Sequence, residues 1–188
     1  MPLIGDHAPE FHAMTTQGKI DFPADYKGSW VVLFSHPADF TPVCTTEFIA
    51  LSRMNETFES LNTKLIGLSI DSLHSHLGWI KSIEALNFNN EGKVKIPFPI
   101  IADISMNVAR KYGMLQTVAN TQTVRAVFII DPEGMIRTIL YYPMSTGRNI
   151  PEIIRILQSL QLNDKTHYST PANWQPGDAV VMGAPLTI

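Results

Sequence analysis

Apolar and polar positions fall in blocks along this chain, and the blocks switch between two periods. Trp30-Val31-Val32-Leu33-Phe34 is an unbroken apolar run of β-branched and aromatic residues entered from Lys27-Gly28-Ser29. Such a run suits a strand buried on both faces. Past a loop with Pro37 and Pro42, Phe48, Leu51, Met54, Phe58 and Leu61 recur at helical spacing, predicting a helix within 43–61. Leu65 to Ile70 reads as a second buried strand, and Asp71-Ser72 as the start of a helix carrying Leu73, Leu77, Ile80 and Ile83. Asn87 to Lys95 is polar and loop-like, Phe98 to Ala102 a short strand, and Ser105 to Tyr112 a helix closed by Gly113. Val124 to Ile130 and Met135 to Tyr142 flank the turn Asp131-Pro132-Glu133-Gly134 and predict a hairpin. Pro151 opens a last helix with Ile153, Ile154, Ile156, Leu157 and Leu160. After Asn163, Pro171, Pro176, Gly177, Gly183 and Pro185 break every period. The sum is one α/β domain over 1–162, a mixed central sheet flanked by helices, followed by an extended C-terminal arm over 163–188.

Composition narrows this picture. At 188 residues and 45% hydrophobic, the chain can bury a core and is not a disordered tail. Fourteen Lys+Arg against 17 Asp+Glu leave a net charge of -3, with no electrostatic footprint for nucleic acid. No run approaches the ~18–20 apolar residues of a membrane span. Met1 to Glu10 carries Asp6 and Glu10 and no long apolar stretch, unlike a signal peptide. These features predict a cytoplasmic protein that binds neither membrane nor nucleic acid. The single cysteine, Cys44, excludes an intrachain disulfide framework and a Cys-rich zinc module. It is either an inert buried residue or a chemically active thiol.

Its neighbours favour the second reading. Ser35-His36-Pro37-Ala38-Asp39-Phe40-Thr41-Pro42-Val43-Cys44-Thr45-Thr46-Glu47 lies where a buried strand hands over to a helix, at the strand's carboxyl end. Open α/β sheets place ligands there. Thr41-Pro42 fits the cap and first position of a helix, which puts Cys44 in its first turn. Unpaired backbone N–H groups and the helix dipole favour a thiolate at that place, and cysteines so placed titrate at roughly 3.5–7.5 instead of ~8.5. Thr41 as a cap only, Pro37 and Pro42 as turn residues, and Glu47 as an ordinary first-turn carboxylate remain the plainer readings.

The same residues carry a resemblance. Pro37-x-x-x-Thr41-x-x-Cys44 is similar to the active-site signature of peroxiredoxins, and Thr45 after the cysteine resembles their one-cysteine branch. The similarity continues through Val124-Arg125-Ala126-Val127-Phe128-Ile129-Ile130-Asp131, Tyr142-Pro143, Thr146-Gly147-Arg148-Asn149 and Thr170-Pro171-Ala172-Asn173-Trp174. The resemblance implies a thioredoxin-like fold and a thiol peroxidase acting on hydrogen peroxide and organic hydroperoxides through a sulfenic acid at Cys44. It implies that the Thr41 hydroxyl bonds thiolate and peroxide, that Arg125 polarises the O–O bond, and that Pro37 shields the sulfur. Glu47 would orient the arginine, backbone N–H groups of Val43 and Cys44 would face the anion, and His36 would help position peroxide or reductant. Arg148 matches a second arginine of the family's site.

The resemblance implies no cofactor and no metal, an external thiol reductant (thioredoxin, glutaredoxin or a small thiol), and a homodimer or ring of dimers. Lys27-Gly28-Ser29-Trp30-Val31 lacks the flanking glycines of a Gly-x-Ser-x-Gly elbow, so the phospholipid hydrolysis of some relatives is not expected. His74 and His76, two apart on a predicted helix, point to different faces and do not form a metal pair. The rival readings are a holdase or peroxide-sensing partner without turnover, and a Cys44–His36 hydrolase, for which no third orienting residue is evident.

Overall fold

The computed structural model describes residues 1–115 and 122–182. The expectations for Gly183 and Pro185 in the arm lie outside the described residues. Two compact units are present, Met1–Arg148 and Asn149–Ile188.

The first unit is a seven-stranded mixed sheet with helices. Its strands are β1 (Phe11–Thr15), β2 (Gly18–Phe22), β3 (Trp30–Ser35), β4 (Thr63–Ser69), β5 (Ile100–Ala102), β6 (Arg125–Ile130) and β7 (Ile136–Tyr142), in the order β2-β1-β5-β4-β3-β6-β7. β3, β4 and β5 are parallel neighbours, while β6 and β7 continue the sheet antiparallel. Every residue of β3 and β6 is buried, as their continuous apolar runs predict. The hairpin β1–β2 has no strong apolar run; its exposed positions His12, Gly18 and Lys19 weaken the alternation that sequence reading depends on.

Strand parity sorts the core. Val31, Leu33, Ile66, Leu68, Ala126, Phe128 and Ile130 share one cluster with Phe11, Phe22 and Tyr112. The alternate positions, Phe34 among them, face the other way. There Phe34 meets Phe48 and Phe98 at ring separations of 5.5 and 5.7 Å. Gly67 makes room for this packing: a Cβ on it would stand 3.3 Å from Phe34 and 3.4 Å from Phe48.

The helical pattern of 43–61 resolves into two helices, α1 (Pro42–Arg53) and α2 (Asn55–Ser60), with Met54 between them outside helical geometry. α3 (Leu73–Ala85) is capped by Ser72, whose side chain accepts from the Ser75 N–H. α4 (Asn107–Lys111) is shorter than the predicted 105–112 and stops before Gly113, at φ +66°.

The second unit holds α5 (Ile150–Thr166), which starts one residue before Pro151 under an Asn149 side-chain cap. It runs past the expected boundary at 162 and ends at His167 in the left-handed region, φ 60°. The arm is fastened back on this helix. Arg155 donates to the Trp174 carbonyl, Ser159 bonds Thr170 at 2.6 Å, and Ser169 pairs with Val181. Trp174 is buried and its indole N–H donates to the Asp178 carbonyl.

Candidate active site

The parallel pair β3–β4 delivers two strand ends to the same edge of the sheet, and α1 begins at Pro42 after the loop from His36 to Thr41. Thr41 is the N-cap residue and Pro42 follows at the first turn, as predicted. The Thr41 side chain does not cap the helix; its hydroxyl donates to the Ala38 carbonyl at 2.9 Å. That bond uses the hydroxyl's one hydrogen and leaves its lone pairs as acceptors. Phe40, just before it, turns the chain through a left-handed backbone at φ 58°. Cys44 then falls in the first turn with no exposed surface, and Pro37 is buried in the approach loop.

Arg125 reaches the sulfur because of sheet parity. It begins β6 and alternates with Val127 and Ile129, which pair with Phe34 and Val32. It therefore lies on the face that also receives Phe48 of α1. One terminal nitrogen donates both to Cys44 Sγ at 3.2 Å and to Glu47 Oε2 at 2.7 Å. Nε and the other terminal nitrogen grip the Met144 carbonyl at 3.1 and 2.8 Å. The planar fork is thus held at three points before any substrate arrives.

Glu47, one turn after Cys44 on α1, sits between two arginines. Arg148 binds it through Nε and a terminal nitrogen, at 3.0 and 2.7 Å, and through its backbone N–H at 2.8 Å. The remaining Arg148 nitrogen donates to the Ser35 and Ala126 carbonyls. Burial alone would raise the Glu47 carboxyl, but Arg148 first and Arg125 after it hold it below the ordinary carboxylate range. Two guanidinium groups and one carboxylate sum to one positive charge in a dry site. A negative sulfur at Cys44 brings that sum to zero, which is the arrangement buried charges require.

His36 is fully buried in the loop before α1. Its Nε2 bonds Asp39 at 2.8 Å, its ring lies 4.9 Å from both Phe48 and Trp79, and its Nδ1 has no partner. Complete burial holds it below the ordinary histidine range, against the pull of Asp39. Asp39 is thus an orienting residue for His36 that the sequence did not reveal. The hydrogen bond to the Cys44 sulfur among the described residues comes from Arg125. Sequence reasoning also missed His76, which joins the same carboxylate from α3; His74 does not. The available signal was topological, because α3 follows the parallel neighbour of β3 and starts at the same sheet edge. His36, Asp39 and His76 are the one group among the described residues whose ligand atoms converge within 4.8 Å.

Comparison with known proteins agrees with this architecture. Residues 4–139 match the AhpC/TSA family, and 159–187 match the C-terminal domain of 1-Cys peroxiredoxin. The chain is 62% identical to a peroxiredoxin of Methanosarcina mazei, over 100% of this chain and 87% of that one. It is 52% identical to a peroxiredoxin of Aquifex aeolicus, over 94% of this chain and 78% of the other. Among solved structures, the yeast mitochondrial 1-Cys peroxiredoxin aligns at a TM-score of 0.89 and 45% identity, covering 97% of this chain and 87% of its own. Peroxiredoxin 6 of Arenicola marina, solved as a cysteine-to-serine mutant, aligns at 0.90 and 38%, covering 100% and 86%. Coverage of this extent, around a lone cysteine held by a strand arginine, leaves one assignment: the chain belongs to the AhpC/TSA family of peroxiredoxins, in its one-cysteine branch, and is a thiol peroxidase.

Proposed function

We propose that Cys44 reduces hydrogen peroxide and organic hydroperoxides by in-line displacement and is then regenerated by an external thiol. The single observation that carries this reading is the 3.2 Å contact of Arg125 with Cys44 Sγ inside a site whose fixed charges leave one positive charge unbalanced. The thiolate attacks the terminal peroxide oxygen; a sulfur–oxygen bond forms, the O–O bond breaks, and the departing alkoxide or hydroxide takes a proton from solvent. Sulfur loses two electrons and becomes a sulfenic acid. Arg125 stabilises the charge as it moves from sulfur to oxygen, with donors already oriented. The Thr41 hydroxyl, committed to the Ala38 carbonyl, accepts the peroxide hydrogen, and the first-turn N–H groups at Val43 and Cys44 face the anion. Pro37 and Phe48 exclude water, and Glu47 holds both arginines in register.

Within these 188 residues no second cysteine exists to resolve the sulfenic acid. A thiol from another molecule condenses with it, releasing water, and a second thiol then displaces Cys44 from the mixed disulfide. The glutathione/thioredoxin systems named for the yeast mitochondrial relative make a low-molecular-weight thiol or a thioredoxin-like protein the reductant to try first. A reducing, cytoplasmic setting and a dimer or ring of dimers complete the proposal.

Stopped-flow mixing of the reduced chain with peroxide, followed by intact-mass measurement, tests it. One oxygen atom is gained at Cys44 and none in Cys44→Ser. Equal peroxide consumption by the two proteins would sink the proposal.

A further inference from the structure

A buried proton lies beside the catalytic loop, and it is fixed by counting donors and acceptors. His76 Nε2 faces the Ile101 carbonyl at 3.1 Å, and a carbonyl only accepts, so this nitrogen carries hydrogen. His76 Nδ1 faces the two carboxylate oxygens of Asp39 at 2.8 and 3.0 Å. A neutral imidazole already protonated at Nε2 would present a bare lone pair to that carboxylate. One further proton must therefore lie between Asp39 and His76. Asp39 also receives His36 Nε2 and the Ser75 hydroxyl, each at 2.8 Å. Burial would raise its carboxyl, but the bonds from His36 and His76 hold it far below the ordinary range, and three side-chain bonds converge on Asp39 as their acceptor.

We propose that His76 is a positioning residue for the peroxide reaction, an imidazolium held between Asp39 and the Ile101 carbonyl that locks the loop leading into the Cys44 helix. The role rests on the thiol peroxidase reading of Cys44. His76 acts through Asp39. That carboxylate ties the loop after β3 to Ser75 and His76 near the start of α3, and through His76 onward to β5. The backbone N–H of Asp39 adds a second tie, to Asp71 at 3.0 Å, itself held by the Ser69 hydroxyl. Two residues further along stands Thr41, then Pro42 and the turn that carries Cys44. With His76 removed, a buried carboxylate loses its charged partner, and the loop relaxes toward water to recover solvation.

A divalent cation on the same three residues fits less well. It would require proton-free His36 Nε2 and His76 Nδ1, and the hydrogen would move to His36 Nδ1, a buried atom with no acceptor.

Long-range nitrogen–proton correlation spectra of the reduced, ¹⁵N-labelled full chain at neutral pH test the proton directly, with His76 assigned by its loss in His76→Asn. The expected pattern has both ring nitrogens protonated. A singly protonated ring, including one bound to metal, would overturn the proposal. Stopped-flow rates for Asp39→Asn, His76→Asn and the double variant test the positioning role. Each single change slows peroxide reaction about 10- to 100-fold, the loss expected when reacting groups are misplaced by about an ångström. The double variant is no slower than the worse single, because both changes remove the shared Asp39–His76 interaction. Single variants within about twofold of wild type, or multiplying losses in the double, would overturn it. Should a variant fail to fold, the wild-type spectrum decides alone. Should wild type not react with peroxide, the catalytic reading fails while the spectrum still reports on the ion pair.

Discussion

Arg125 shows how much of the chemistry hangs on side-chain shape instead of charge alone. Its fork reaches the Met144 carbonyl, Glu47 and Cys44 at once, which a single ammonium on a flexible stem cannot do. Arg125→Lys keeps the charge and loses the simultaneous grip, so peroxide reaction should slow about 100-fold or more, comparable to removing one oriented donor from a transition-state site. Near-ultraviolet circular dichroism should remain that of the folded chain. A lysine variant reacting at the wild-type rate would show that net charge suffices. The residues around Cys44 were legible because they are consecutive: Pro37, Thr41, Pro42 and Cys44 announce a loop and a helix start by their types alone. Arg125 was legible through the resemblance carried by Val124 to Asp131. Asp39 and His76 were silent, since 37 positions separate them and only the sheet brings them together.

At the scale of elements, α1 and α3 start at the same edge but finish their first turns differently. Ser72 caps α3 through its side chain, whereas Thr41 lends its hydroxyl to Ala38 and leaves α1 with no side-chain cap. A missing cap costs about 0.5–2 kcal/mol of local stability. That turn carries a sulfur with no exposed surface. The Thr45 and His76 amides report on the two turns through bonds of equal length, 3.0 Å, to the Thr41 and Ser72 carbonyls. Amide exchange at Thr45 should be faster than at His76 in the reduced protein. Equal or slower exchange at Thr45 would mean that packing, not capping, governs this turn. Both helices, and the buried strands β3, β4 and β6, were readable from periodicity, because burial on both faces writes continuous apolar runs. The hairpin β1–β2 and the break at Met54 were not. A half-exposed strand and a single non-helical residue leave the apolar spacing nearly unchanged.

For the molecule as a whole, the groups that run the site also set its response to acid. Asp39 and Glu47 are held below the ordinary carboxylate range in the fold, so the unfolded chain takes up protons first once pH drops below about 4, and stability is lost as pH falls. His36 works in the same direction from higher pH. Burial favours its neutral form, so the unfolded state binds the extra proton as pH passes below about 6.5. Asp103 opposes them: burial raises its carboxyl despite the N–H groups of Ala109 and Val108, so the fold binds its proton first and gains from acid. Where the carboxylates titrate, Asp39 and Glu47 outweigh Asp103, so the urea midpoint should fall once pH drops below about 4. Asp103→Asn removes the opposing contribution while keeping an amide oxygen for the α4 amides, and should steepen the loss between pH ~6 and pH ~4. A midpoint that stays constant as pH falls from about 4 to about 2 would contradict the assignment, since it would require Asp39 and Glu47 to bind protons equally in both states. The measured decline should be accompanied by loss of peroxide reaction, because Asp39 and Glu47 anchor the two sides of the turn that carries Cys44.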